Sequence, residues 1–263
     1  MKIQISNMNL KQIAESGQCF RWKEINTDTF VIPGDSGKNI GLPDLTIKQE
    51  GDIFELSCND DDWNSQWYEY FDMPTDYEEV KERIFSSGDE HAIEAYKEGA
   101  GIRILRQSLW EMIVTFLVSQ NNNIKRITAS VDAICDLNGG RFPYPGDIKP
   151  KIFEEINLGL GYRVPYLKEI YEYAAENPRW LTKLQSMSFE EANATLQERK
   201  GIGPKVANCI CLFGLHQVDA FPIDTHVKQF LKEYYPNGFD FEYYKGIAGI
   251  IQQYLFYYEL KHK

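Results

Sequence analysis

The sequence lacks cysteines at any metal or redox spacing. Its five cysteines (Cys19, Cys58, Cys135, Cys209 and Cys211) are an odd number, form no C-x-x-C pair, and two lie in one apolar run. Neither a disulfide scaffold nor a Cys-rich zinc site is expected, and a reducing cytoplasm is. Long apolar runs are missing too. The longest uncharged stretch near the middle, Met112 to Ile124, carries Ser119, Gln120 and three asparagines, so no membrane span or membrane partner is expected. The opening MKIQISNMNL has no apolar core of the kind a secretory leader needs. Internal repeats and low-complexity segments are absent.

Positive charge is in short supply overall, with 28 Lys and Arg against 39 Asp and Glu for a net −11. Taken whole, that argues against a nucleic-acid partner. The distribution reverses the argument. Residues 1–100 hold 9 basic and 21 acidic side chains, and the remainder holds 19 and 18. An anionic ligand should therefore meet the second part of the chain. The 263 residues, 43% hydrophobic and 25% charged, suit a globular protein of two domains, or of one with additions.

The first ninety or so residues read as strand and turn. Thr29–Ile32, Leu45–Lys48 and Ile53–Cys58 are β-prone, separated by the turn signals Pro33-Gly34-Asp35 and Glu50-Gly51-Asp52. Asn59-Asp60-Asp61-Asp62 reads as a solvated loop, since the spread ligands and closing Glu of a Ca²⁺ loop are missing. From about residue 74 the spacing turns helical. Ser108 to Glu111 and Ser188 to Glu191 both have the sequence of a capping box. The first opens a helix through Leu117 and the second a helix through about Gln197. Ile124, Ile127, Val131 and Ile134 mark another helix, which Asn138-Gly139-Gly140 stops. A helix restarts at Pro204 and ends near Gly214, and Asp224 or Thr225 caps the next.

The richest segment is LQERKGIGPKVANCICLFGL (196–215), the centre of a helix, a tight Gly-x-Gly turn and a second helix that together span about 189–214. Gly201 and Gly203 let the backbone turn sharply and approach another chain. The second helix begins with unpaired N–H groups, a favourable place for a phosphate. A plain packing corner is the alternative from these glycines alone. Nineteen residues after Lys205, Phe221-Pro-Ile-Asp-Thr-His226 sets Asp224 at a helix start.

This pairing resembles the helix-hairpin-helix, Gly/Pro-rich, Asp superfamily of DNA glycosylases. Ser16-Gly-Gln-Cys-Phe-Arg-Trp22, Ser119-Gln-Asn-Asn-Asn-Ile-Lys-Arg-Ile127 and Leu158-Gly-Leu-Gly-Tyr-Arg163 narrow the likeness to the eukaryotic-type 8-oxoguanine DNA glycosylase/lyase, in a prokaryotic member. The motifs run in order over nearly the whole chain. No cysteine follows Cys211, so the four-Cys iron–sulfur cluster of the thymine-glycol and adenine branches is excluded. The alkyl-base branch lacks the Lys that stands here at 205.

The resemblance implies an α+β, mostly α fold. An antiparallel-sheet domain (1–95) would precede helical glycosylase domains (96–263), with the catalytic cleft between. It implies removal of 8-oxoguanine opposite cytosine from double-stranded DNA by a monomer in the cytoplasm, associated with the nucleoid in a prokaryote. No cofactor or catalytic metal is implied, but a monovalent cation on the hairpin carbonyls of the DNA complex is. The nucleotide must be extruded from the duplex into a pocket. Lys205 is then the amine nucleophile, kept neutral by a helix N-terminus and partial desolvation, that forms a Schiff base and permits β-elimination. Asp224 stabilises the developing positive charge or orients the amine, and it suits a plain N-cap equally. His226 contacts phosphate or supports Asp224, unless it is structural.

For the base pocket the resemblance implies the Gly17 carbonyl, Cys209, Gln252 and Phe256. 8-Oxoguanine carries a hydrogen on N7 where guanine has a lone pair, so a carbonyl there separates the two. Gln252 and Phe256 sit four apart and share a helix face, although Tyr254, Tyr257 and Tyr258 make core packing a rival for Phe256. Asn121 would fill the vacated stack, Tyr162 would wedge beside it, and Arg126 and Arg163 would read the orphan cytosine. Phosphate contact is the commoner use of an Arg. The sequence departs from the family pattern at Cys19, Asn208 and Ile250. Two alternatives stand: a non-catalytic helix-hairpin-helix DNA binder, and a glycosylase for another damaged base.

Overall fold

Apolar residues alternate along the N-terminal strands, and the computed structural model, which describes residues 1–38 and 41–262, shows why. Strands β1 (Lys2–Gln4), β2 (Lys23–Asn26), β3 (Thr29–Ile32), β4 (Leu45–Glu50) and β5 (Ile53–Leu56) form one sheet in the order β1-β5-β4-β3-β2. Every pairing is antiparallel, with Phe30 opposite Ile47 and Lys48 opposite Glu55. Phe30, Ile32, Leu45, Ile47, Phe54 and Leu56 turn one face inward. That face packs on helix α1 (Leu10–Glu15), which buries Leu10 and Ile13, and on the aromatics Trp63, Trp67, Tyr70 and Phe71. One wet face and one dry face is the usual arrangement of an antiparallel sheet. The three β-prone segments are strands. β1 and β2 went unread because they are short, and β2 is exposed along its whole length, leaving no alternation to find.

Asn59–Asp62 differs from the solvated loop expected. Asn59 accepts from the Asp62 N–H and caps α2 (Asp60–Asp62), which runs on through a π-helical turn (Trp63–Trp67) into α3 (Tyr68–Tyr70). Asp60 and Asp61 are exposed and Asp62 half-buried, and all three favour the positive end of a helix.

The remaining helices build a second core. α4 (Tyr77–Ser87) and α5 (Glu90–Gly99) come first, then α6 (Leu109–Ser119), α7 (Ile124–Asp136) and α8 (Ile152–Glu155). A 3₁₀ turn (Gly161–Arg163) leads into α9 (Val164–Glu176), followed by α10 (Trp180–Gln185), α11 (Phe189–Gln197), α12 (Pro204–Gly214), α13 (Thr225–Tyr234) and α14 (Ala248–His262). α6 is buried from Leu109 to Val118, and α14 is buried over most of its length. Helices apolar all round belong in the middle of a bundle. α6 packs on α12, and α5 on α14.

The division expected at residue 95 does not coincide with the cores. Tyr77, Val80, Ile84, Ala92 and Ala95 of α4 and α5 join the helical core, while the sheet core ends at Phe71 apart from Leu105. The apolar stripe of α5 has α14 to cover and that of α4 packs on α5, so both leave the sheet. The capping box expected at Ser108 is half formed. Ser108 accepts from the Glu111 N–H, but the Glu111 carboxylate turns away to Arg21 at 2.9 Å. At Ser188 both halves of the box are present.

Candidate active site

The hairpin between α11 and α12 is a corner that only glycine can turn. Gly201 has φ +85, and a Cβ there would lie 2.5 Å from the Tyr166 ring. Gly203 is different. Its φ is −94, and a Cβ would meet nothing within 4 Å. The fold therefore does not need glycine at 203; its bareness leaves the start of α12 open to solvent. That helix has no side-chain cap and carries Pro204 in its first turn, so the N–H groups beside Gly203 face outward unsatisfied.

Lys205 follows in the first turn of α12, half-buried, with its Nζ 5.7 Å from the centre of the Phe116 ring. Cys209 lies one turn on and is buried. Burial pushes its thiol up, against a downward pull from Lys205, so it stays a thiol and acts as a small apolar wall. Asn208 donates to the Pro204 carbonyl at 2.8 Å and accepts from the Phe221 N–H at 3.1 Å. It thereby ties α12 to the segment that ends at Asp224. An aspartate could accept from Phe221 but could not donate to Pro204 while ionised.

Asp224 caps α13, one oxygen accepting from the Val227 N–H at 2.8 Å. Among the described residues it forms no ion pair with Lys205 within 4 Å, but both side chains line one small cavity of about 60 Å³. The same cavity is walled by Gly17, Cys209, Gln252 and Phe256, which the sequence placed in the base pocket. Gln252 donates to the Pro222 carbonyl at 3.0 Å, which fixes the orientation of its amide. Its Oε1 is buried without a partner. Gly17 has φ +74, a Cβ on it would press on Phe256 at 3.2 Å, and no described hydrogen bond ends on its carbonyl. The cavity thus presents unsatisfied acceptors. Five of its described walls were not expected from sequence: Phe116, Phe213, Pro222, Ser16 and Gln253. A core helix, a core helix again, and a connecting turn supply the first three, with no pattern to mark them. Gln253 stood beside Gln252, and that pairing was the available signal.

The cavity opens into a groove of about 1160 Å³, sharing with it Gly17, Phe116, Lys205, Asp224 and Phe256. The groove runs past Ser119–Lys125 on one side and Gly203, Ile223–His226 and Lys228 on the other. Among the described residues its charged walls are Lys125, Lys205 and Lys228 against Asp224. A chain of net charge −11 therefore carries a positive groove, built almost entirely beyond residue 100. His226 faces the groove with its ring edge-on to Phe256 at 6.4 Å, and its Nδ1 is buried without a partner. No described hydrogen bond joins it to Asp224.

The three asparagines between α6 and α7 divide their labour. Asn122 donates to the Val118 carbonyl at 3.2 Å, closing α6, and Asn123 caps α7. Asn121 does neither. It is exposed with φ +45, a left-handed conformation that asparagine tolerates better than most residues. Tyr162, 52% exposed, donates to the Gln120 carbonyl at 3.2 Å and so stands beside it. Arg163, which the resemblance assigns to the orphan cytosine, already has partners within the protein. It is buried, donating to the carbonyls of Gln120, Asn121 and Leu160, and its guanidinium lies 4.5 Å from the Tyr162 ring centre. The loop carbonyls at the end of α6 need donors, and Arg163 supplies them. Arg126 is exposed with no ion pair among the described residues.

The other motif residues near the N-terminus are structural. Arg21 is buried between Asp35 and Glu111 at 2.8 and 2.9 Å, and Trp22 donates to the Tyr70 hydroxyl. Cys19 and Ile250 are core residues.

Known proteins match this arrangement. Residues 1–113 match the family model described as 8-oxoguanine DNA glycosylase, N-terminal domain. The N-glycosylase/DNA lyase OGG1 of Arabidopsis thaliana is 31% identical over 255 residues, covering 89% of this chain and 68% of that protein. The solved structure of MBOgg1 in complex with a low-affinity DNA ligand superposes with a TM-score of 0.89 at 31% identity, covering 99% of this chain and 95% of that one. The Clostridium acetobutylicum 8-oxoguanine glycosylase/lyase, in complex with double-stranded DNA holding cytosine opposite 8-oxoguanine, gives 0.84 at 27% identity, covering 100% and 98%.

Proposed function

The chain belongs to the 8-oxoguanine DNA glycosylase/lyase family, and from that premise we propose that Lys205 and Asp224 carry its chemistry at the mouth of the acceptor-lined cavity. The protein is a base-excision DNA glycosylase with AP lyase activity whose substrate is double-stranded DNA containing 8-oxoguanine. The single observation that supports the residue assignment is the shared cavity. It joins an amine, a carboxylate and the acceptors of Gly17 and Gln252 in one space opening onto a positive groove.

The chemistry follows from those groups. The duplex lies along the groove, and the lesion nucleotide swings into the cavity, entering past the half-buried Phe256 ring. The base edge offers N–H donors at N1, N2 and N7. Gln252 Oε1 accepts at the Watson–Crick edge, and the Gly17 carbonyl accepts from N7–H. Guanine would put a lone pair against that carbonyl, at a cost of roughly 1–3 kcal/mol. The Lys205 amine forms a bond to C1′ through its nitrogen lone pair as the C1′–N9 bond breaks, and the bonding pair leaves on the base, which takes up a proton. Asp224 faces the positive charge that grows on the sugar. Loss of a proton from the amine and ring opening give the Schiff base, and loss of a C2′ proton expels the 3′ phosphate.

Around that centre, Asn121 fills the vacated stack and Tyr162 wedges beside it. Arg126 reaches the orphan cytosine, and Arg163 acts through the carbonyls it holds. Gly203 and the open start of α12 take a phosphate, with His226 across the groove. The carbonyls of Lys200, Gly201 and Ile202 accept no described hydrogen bond, which suits a monovalent cation there in the DNA complex. Five unpaired thiols fit a reducing, cytoplasmic setting, and no helix among the described residues is long and apolar enough to cross a membrane.

Borohydride trapping on an 8-oxoguanine duplex tests the assignment. A covalent adduct with wild type that is absent in Lys205→Gln is expected. An adduct that persists in the variant would remove Lys205 from the mechanism. Binding without any adduct or strand scission in wild type would favour a non-catalytic hairpin protein, and excision of a different base would favour the remaining alternative.

A further inference from the structure

The acceptor that tells 8-oxoguanine from guanine sits on a glycine, the residue least able to hold its own carbonyl still. Something else must fix it. The neighbouring residue on the C-terminal side, Gln18, is buried and bound on three sides. It donates to the Arg103 carbonyl and to Ser16 Oγ, each at 2.9 Å, accepts from the Leu105 N–H, and its own carbonyl accepts from Gln107. On the other side is the Ser16–Gly17 peptide. Ser16 is fully buried, and its carbonyl accepts one described hydrogen bond, from Gln253 Nε2 at 2.7 Å.

Gln253 is 1% exposed on α14, directly after Gln252 and one turn before Phe256. Its Oε1 is buried without a partner, and the side chain lines the same cavity. It is the described link between the helix that carries two base-contacting residues and the turn that carries the third. Removing its N–H would leave the Ser16 carbonyl buried and unsatisfied. The peptide would then rotate to find a donor, and the Gly17 carbonyl would turn with it.

We propose that Gln253 is a positioning residue that holds the Gly17 carbonyl in line with the N7 hydrogen of the lesion and thereby sets discrimination against guanine. This rests on the reading of Gly17 as the N7 acceptor. Gln253 need not touch the base for this purpose; it acts through Ser16.

The test measures affinity for 8-oxoguanine and guanine duplexes in a Lys205→Gln background, where covalent chemistry is silent. Gln253→Leu should reduce the affinity ratio by roughly tenfold, the worth of one buried hydrogen bond. Gln253→Glu separates positioning from mere packing. At about pH 8 the introduced carboxylate faces the Ser16 carbonyl with no proton to give, and the ratio should drop. At about pH 5.5 a buried carboxyl is protonated, donates to Ser16, and should restore the ratio. The parent background, titrated alongside, should show no such recovery. Should both variants keep the parent's ratio at every pH, or lose it equally at both, Gln253 does not position the carbonyl. A parent that shows no preference for 8-oxoguanine would overturn the Gly17 reading itself, and the proposal with it.

Discussion

Arg21 and Glu111 meet at 2.9 Å across the seam between sheet and helices, each about 4% exposed or less at its side chain. Arg21 also holds Asp35 at 2.8 Å, and Asp35 accepts from the Phe142 N–H. One cation between two carboxylates leaves a buried excess of negative charge. Burial accordingly pushes the Glu111 carboxyl up to about 7, against the pull of Arg21 and with Asp35 adding to the rise. The sequence of a capping box at Ser108 was the wrong guide to Glu111 because this cation, 90 positions away, outcompetes a backbone N–H.

Arg21→Met should strand two buried carboxylates and cost about 3–5 kcal/mol, read from urea unfolding near neutral pH. Arg21→Met with Glu111→Leu should recover part of the loss. An unchanged midpoint in the single variant would mean that the pair contributes nothing to the seam.

The pH dependence of stability has a definite sign here. The folded Glu111 carboxyl titrates at about 7 and the unfolded one near its ordinary 4.5, so the folded state holds a proton that the unfolded state has released. The contribution of this group is therefore present below about 4.5 and is lost as pH rises through about 7. Glu111→Gln should flatten that part of the profile in thermal melts between those limits. A slope identical to wild type would refute the assignment.

The two hairpin glycines should separate folding from binding. Gly201→Ala drives a methyl into the Tyr166 ring at a left-handed φ and should lower the melting temperature by several degrees. Gly203→Ala has open space and an ordinary φ, so its melt should match wild type while DNA affinity falls at least severalfold. Equal affinity in Gly203→Ala would show that no DNA backbone approaches this point.

Binding should be strongly salt dependent in spite of the acidic composition. With Lys125, Lys205 and Lys228 lining the groove, the logarithm of the affinity should fall with that of salt at a slope of several units. Lys228→Ala should reduce the slope by about one without changing the preference for the lesion. A flat salt profile would place the DNA elsewhere.

Arg126 and Arg163 should fail differently. Arg126→Ala, at an exposed site, should leave stability alone and narrow the preference for cytosine over adenine and thymine by roughly tenfold in single-turnover excision. Arg163→Ala should loosen the Gln120–Asn121 loop and depress stability as well as excision, because it leaves the Asn121 carbonyl without a described donor and removes the guanidinium from those of Gln120 and Leu160. If wild type shows no opposite-base preference, Arg126 serves phosphate positioning instead.

Much was legible along the chain because it depends on near neighbours. Capping at Ser188 and Asp224, the restart of a helix at Pro204 and strands at Thr29–Ile32 and Leu45–Lys48 follow from local hydrogen bonding and periodicity. The collinear motifs named the family for the same reason, since each is a short run whose spacing survives without the fold. Residues from Gly17 to Phe256 could be assigned to one pocket by that resemblance, and the cavity brings Gly17, Lys205, Cys209, Asp224, Gln252 and Phe256 together.

Tertiary structure alone decided the partners. Whether Glu111 caps a helix or pairs with Arg21, whether Arg163 reaches outward or holds a loop, and whether α4 and α5 side with the sheet or with the helical core are contests between a local bond and a distant one. Sequence spacing carries no energy for the distant competitor. The charge of the groove is decided in the same way, because an acidic chain becomes basic at one place only when folding gathers Lys125, Lys205 and Lys228 around a single described acid, Asp224. Gln253 shows the limit most plainly: along the chain it is a second glutamine beside the first, and only the approach of Ser16, 237 positions away, gives its amide a carbonyl to hold.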